Sequence, residues 1–197
     1  MLARLGDLPL RGCAYEVKWD GFRALVSTEG ALDVRSRRGW PMAEPVSELS
    51  GLPSGLVLDG ELVALGDDGR PSFPLLSSRV LHGKRTIAVK YMIFDVLRVD
   101  GLDVMGNAHA DRSALLEELE LEGASWTTPE AFEDGPALFE ATLGLGLEGV
   151  VAKRLDAPYR PGERGWVKVK HRSYWRYGQE LELARSRRRR IAFANPL

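Results

Sequence analysis

Lys18-Trp19-Asp20-Gly21-Phe22-Arg23 sets a lysine, a carboxylate, a glycine and an arginine at the spacing K-x-D-G-x-R, near the start of a strand-like run. This is the layout of a lysine that attacks a nucleotide phosphate. Alone, the pattern reads equally as a solvated strand end followed by a turn at Gly21. Segments further along the chain change that balance.

Working outward, Tyr15 to Ser27 and Ala31 to Ser36 are rich in Val, Leu and aromatics, with Glu29-Gly30 between them, which predicts a hairpin carrying the lysine on its first strand. Leu56 to Leu65 reads as a strand closed by Asp67-Asp68-Gly69, and Ile87 to Val99 as another followed by Asp100-Gly101. Asp111 is the expected cap of a helix over Arg112 to Leu121, whose Leu115, Leu116 and Leu119 share one face. Pro136 to Leu143 predicts a second helix. Val150-Val151-Ala152 and Trp166 to Lys170 supply two short strands around the Pro158 to Gly165 loop. Strands and helices mix without a βαβ rhythm, so the expected class is α+β, with largely antiparallel sheets flanked by helices.

At 197 residues, 44% hydrophobic and 28% charged, the chain can bury a sizeable core. No apolar run reaches a membrane span and Met1-Leu2-Ala3-Arg4 begins no signal peptide, so no membrane association and a cytoplasmic location are expected. Cys13 is the only cysteine, which excludes an internal disulfide and a cysteine-rich zinc module and predicts a small buried thiol. The net charge of -1 hides an asymmetry: residues 151–190 hold 13 Lys+Arg against 4 Asp+Glu, leaving 14 against 24 elsewhere. A basic segment on an acidic body suits contact with phosphates, although Arg187-Arg188-Arg189-Arg190 reads as well as a solvated tail.

Alternation along a strand puts Lys18 and Asp20 on one side, with Val17 and Trp19 on the other. In Trp166-Val167-Lys168-Val169-Lys170 it groups Lys168 with Lys170 and turns both valines to the core. Two ammonium groups so close repel each other, unless they share a polyphosphate. Asp59 and Glu61 in Leu58-Asp59-Gly60-Glu61-Leu62-Val63 fall together likewise, able to orient a ribose or a metal, or simply to keep an edge strand soluble. Glu148, immediately before the apolar Gly149 to Ala152 run, suits magnesium, which takes one or two carboxylates beside phosphates and water.

The ordered set KWDGFR, SRRG, LDGEL, YMIFDVL, EGVVAKR and WVKVK resembles the nucleotidyltransferase motifs of ATP-dependent DNA ligases, most nearly the bacterial ligase C and ligase D type, over about residues 1 to 172. The resemblance implies that Lys18 is the nucleophile that becomes joined to AMP. It implies that Arg23 and Arg37 contact the nucleotide and the 5′-phosphate of a nick, that Glu61 holds the ribose hydroxyls and that Phe94 packs on adenine. Glu148 would bind the divalent metal, Mg2+ or Mn2+, Asp20 would orient lysine and metal, and Lys168 and Lys170 would hold the triphosphate of ATP. The implied partner is nicked or broken double-stranded DNA in repair and recombination.

About 27 residues follow Lys170, too few for the oligonucleotide-binding barrel that completes such ligases. The expectation is therefore a nucleotidyltransferase domain over 1–172 and a basic, helix-prone tail over 173–197, the chain being a minimal nucleotidyltransferase, a fragment, or one whose barrel comes from a separate domain or end-joining partner. In that tail, Trp175 and Tyr177 interleave with arginines as a candidate backbone grip. Two other readings stay open: an RNA ligase, and a weakly catalytic module that binds nucleotide or DNA ends.

Overall fold

The structure, a computed structural model, describes residues 1–178. Among these residues ten strands and three α-helices run in the order β1 (Ala3–Leu5), β2 (Cys13–Val17), β3 (Phe22–Ser27), β4 (Asp33–Ser36), β5 (Leu56–Val63), α1 (Phe73–His82), β6 (Lys90–Val99), β7 (Leu102–Asp103), α2 (His109–Glu118), β8 (Trp126–Thr127), α3 (Gly135–Gly144), β9 (Gly149–Arg154) and β10 (Trp166–Lys170), with a 3-10 segment at Glu44–Gly51. They make two sheets. One has the order β1-β10-β9-β2, and the other runs β4-β3-β5-β6-β7 with β8 added beside β6. Only β1 with β10 and β6 with β8 pair in parallel, so the expected α+β class with largely antiparallel sheets holds.

The predicted hairpin is β3 with β4, joined in register from Ala24–Ser36 to Ser27–Asp33. Its first strand, however, is shorter than the sequence suggests. β2 ends at Val17 in one sheet and β3 begins at Phe22 in the other, so Lys18 to Gly21 is the crossover between them and not part of a strand. The physical reason sits at Gly21, where a Cβ would collide with the carbonyl oxygen of Leu62 on β5. Only a bare backbone can cross that closely.

Three apolar clusters hold the fold. Alternate residues Ala24 and Val26 of β3, and Leu56, Leu58 and Leu62 of β5, pack under α1, α2 and the 3-10 segment. Tyr15, Val150, Ala152 and Val167 pack against Leu138 of α3, and the lone thiol of Cys13 is buried there as expected. Between the sheets lies a third, aromatic cluster of Met1, Leu97, Tyr159 and Trp166, with Phe94 at its margin. Two register slips between β5 and β6 leave Phe94 and Leu97 without a partner on β5. Such bulges re-aim side chains. Here both turn into the gap between the sheets, while Tyr91 and Ile93 stay in the first cluster.

The helix expected over Arg112–Leu121 starts earlier, at His109, with Ala108 as its cap, so Asp111 lies in the first turn. A carboxylate there still opposes the positive end of the helix dipole. Arg112 instead turns inward: Nε and Nη2 donate to Asp95 Oδ1 and Oδ2 at 2.7 and 3.0 Å, and Nη1 to the Asn107 carbonyl at 2.7 Å. That fully buried pair fastens α2 to β6. The second expected helix is α3, capped by Asp134, whose side chain accepts from the Ala137 amide at 2.9 Å. No further strand follows β10 among the described residues, and most of the expected tail, including Arg187–Arg190, lies outside them.

Candidate active site

The two sheets face each other across a cleft of about 890 Å3. Lys18, Asp20, Arg23, Arg37, Glu61, Phe94, Glu148, Lys168 and Lys170 all line it. Trp19, expected on the opposite face, lines it too, because a crossover does not alternate as a strand does.

Lys18 is held at its backbone by a 2.9 Å bond from its amide to the Gly149 carbonyl. Its Nζ donates to Glu148 Oε2 at 2.7 Å, and Lys170 ion-pairs with Oε1 of the same carboxylate. Glu148 is therefore a nearly buried anion shared by two ammonium groups. It occupies this position because Gly149, at φ +144, starts β9 in a conformation that a side chain resists, where a Cβ would meet the Val169 carbonyl oxygen. Burial pushes the Lys18 amine down, but Glu148, Glu61 and Asp20 outweigh it and hold the group above its usual range. The resting lysine is an ammonium.

Glu61 sits on β5 directly opposite Arg23 on β3. Burial drives its carboxyl up to about 7, against the opposing pull of Lys18 and Arg23. Asp59, two residues before it, is fully buried and takes Arg23: Nε donates to Oδ1 at 2.9 Å, Nη2 pairs with Oδ2, and Tyr159 Oη donates to Oδ2 at 2.8 Å. The Arg23 guanidinium also lies 5.1 Å from the Trp166 ring and 5.6 Å from that of Phe94. Arg23 thus forms part of the wall between the sheets, with its charge matched by Asp59.

Phe94 meets Trp166 edge to face at 5.6 Å. Lys153 is buried behind it, donating to the Phe94 carbonyl at 2.7 Å, paired with Glu16 at 2.7 Å and 4.6 Å from the Phe94 ring centre. Arg37 is exposed on the turn after β4, which a bond from the Gly39 amide to the Ser36 carbonyl closes at 2.8 Å. On β10, alternation works as the sequence predicts. Lys168 and Lys170 line the cleft while Val167 and Val169 pack in the cluster against α3.

Asp20 is nearly buried, and both its oxygens are engaged. Tyr174 Oη donates to Oδ2 at 2.9 Å and Arg176 pairs with Oδ1, so the segment after β10 reaches back to the crossover. Sequence reasoning missed Arg176, Tyr159 and the pairing of Lys153 with Glu16. A basic count after β10 was the only signal for the first, Lys153 was visible only as a base in EGVVAKR, and nothing marked Tyr159 as a partner of Asp59.

Residues 5–170 match the family described as "ATP dependent DNA ligase domain". The chain belongs to that family. It is 41% identical over 167 residues to the multifunctional non-homologous end joining DNA repair protein LigD of Mycobacterium tuberculosis, an alignment covering 80% of this chain and 21% of the relative. The crystal structure of the ligase domain from M. tuberculosis LigD superposes with a TM-score of 0.73 at 38% identity, covering 86% of this chain and 59% of that one. A mycobacterial DNA ligase D complexed with ATP and MES superposes at 0.70, with the same identity and coverage. This ligase-type domain therefore spans about a fifth of its curated relative and under two thirds of the solved ligase domain.

Proposed function

We propose that the domain carries out the adenylation step of an ATP-dependent DNA ligase, with Lys18 as the residue that takes AMP. The observation that carries this reading is the contact of Lys18 Nζ with Glu148 at 2.7 Å, inside a cleft that Phe94, Glu61 and the two lysines on β10 also line. The reading is also supported by family membership and by the ATP complex of the mycobacterial relative.

In this reading Phe94 packs on adenine, Glu61 accepts from the ribose hydroxyls, and Lys168 and Lys170 hold the outer phosphates. The in-line approach of amine, α-phosphorus and departing pyrophosphate is set by position, with positive charge around the phosphate oxygens. Attack requires the neutral amine, whereas the free domain holds an ammonium against Glu148. A divalent cation fits this carboxylate: Glu148 is an oxygen donor at the end of a sheet, in the cleft that Lys168 and Lys170 line, and such an ion takes one or two carboxylates beside phosphates and water. When bound, magnesium or manganese would supply charge beside the phosphates and release Lys18 from its partner. In the same reading Arg37, exposed beside the cleft, meets the 5′-phosphate of a DNA nick, to which AMP passes next. Sealing of nicked or broken DNA in repair, with a separate barrel domain or end-joining partner, completes the proposal.

Mass spectrometry of the protein incubated with ATP and magnesium tests it. A gain of one AMP on Lys18, absent in Lys18→Ala and unaffected in Arg189→Ala, is expected. Covalent AMP on Lys18→Ala would refute the mechanism, and parallel nicked DNA and RNA substrates fix the acceptor.

A further inference from the structure

Arg176 enters the cleft from the segment after β10, and the reaction described above makes no use of it. We propose that Arg176 is a further phosphate-binding residue, one that takes the outer phosphates of the bound nucleoside triphosphate, and that Asp20 acts by holding it in place. The inference rests on the nucleotide reading of the cleft and goes beyond it in assigning this residue and the role of Asp20.

The guanidinium is fixed from two sides. Its Cζ lies 3.8 Å from the ring centre of Phe73 at the start of α1, and its Nη1 pairs with Asp20 Oδ1. Tyr174, two residues earlier, donates to the other oxygen of Asp20 at 2.9 Å, which ties down the backbone that carries Arg176. A guanidinium has five N–H donors in a rigid plane, and Asp20 accepts from one nitrogen only. The remaining donors sit on a side chain that is 20% exposed and lines the same cleft as Lys168 and Lys170.

Stacking on a ring and clamping by a carboxylate leave such a group ordered before its ligand arrives, which suits the bidentate geometry of phosphate. Asp20 itself has neither the exposure nor an uncommitted oxygen with which to meet a ligand directly. Its carboxylate is better explained as the anchor of Arg176 than as a second metal ligand beside Glu148.

Calorimetric titration with α,β-methylene-ATP, and separately with AMP, tests this in magnesium and again in EDTA. Arg176→Ala should weaken the triphosphate analogue by roughly tenfold or more, the scale of a charged hydrogen bond, while AMP changes by less than about twofold. Arg176→Lys should fall between. Asp20→Asn should reproduce the loss in EDTA as well as in magnesium, and Asp20→Asn combined with Arg176→Ala should be no weaker than Arg176→Ala alone.

Phe73→Leu, which removes the ring and keeps the apolar volume, should cost the analogue a few-fold and AMP nothing. Melting curves check that each variant is folded. Unchanged or tighter analogue binding by Arg176→Ala would overturn the proposal, the second outcome meaning that the ion pair merely closes the cleft. A loss in Asp20→Asn that vanishes in EDTA would overturn the anchoring role. If the unmutated domain binds neither AMP nor the analogue, the proposed function fails and this inference with it. If it binds both and Arg176→Ala keeps both, this inference alone falls.

Discussion

Glu148→Gln separates what the carboxylate does for the fold from what it does for the nucleophile. In the free domain its two oxygens meet Lys18 and Lys170, with side-chain exposures of 3% for Glu148, 19% for Lys18 and 6% for Lys170. Removing one partner of a buried ion pair costs about 3–5 kcal/mol, because the remaining charge has lost its counter-ion. Here two cations lose the same partner. For a domain of this size each kcal/mol corresponds to roughly 2–4 °C in Tm, so a fall of roughly 6–20 °C is expected by calorimetry.

The same substitution removes the first of the groups that hold the Lys18 amine above its usual range, while burial continues to push it down. The amine should therefore lose its proton more readily in Glu148→Gln. Labelling of Lys18 by an amine-reactive ester, followed by peptide mass spectrometry across pH 6 to 10, should begin at lower pH than in the unmutated domain, even as covalent adenylation disappears. A variant that melts within about one degree of the parent and labels with an unchanged pH profile would refute this account of the site.

Three further outcomes follow from single contacts. Gly149→Ala places a Cβ against the Val169 carbonyl oxygen at φ +144, so it should fail to yield folded protein or melt far below the parent, as judged by circular dichroism. Arg112→Leu leaves Asp95 buried without its partner and should cost about 3–5 kcal/mol in urea unfolding, with the slope unchanged. Glu61 has a carboxyl raised from 4.5 to about 7, so the folded state binds its proton more tightly than the unfolded chain. Its contribution to stability is therefore greatest below pH 4.5 and is lost as pH rises towards 7, and Glu61→Gln should flatten that part of the stability–pH curve measured by chemical denaturation.

The parts of the site legible in the sequence are those that depend on local periodicity. Lys168 and Lys170 share a face because a strand alternates, and Glu148 stands at the head of β9 because an apolar run follows it. Lys18 was legible as chemistry but not as geometry: its place on a crossover between two sheets depends on the carbonyl of Leu62, which no local pattern encodes. The same holds for the buried pairs. Asp59 reads as an edge-strand carboxylate until Arg23 and Tyr159, the latter 100 residues away, close on it, and Asp95 reads as a strand residue until Arg112 turns in from α2. β1, three residues long, exists only by parallel pairing with β10, and α1 carries Pro74 in its first turn with no long apolar period, so neither left a signal. The gap between the sheets makes the point most sharply. Plain alternation from Tyr91 and Ile93 turns Phe94 to the opposite face, towards the cleft, but it would leave Leu97 on the face of Ile93, and the slips opposite β5 are what bring Leu97 round beside Phe94. A bulge is decided by how two strands twist together, so Leu97 is placed by its partner strand and not by its own sequence.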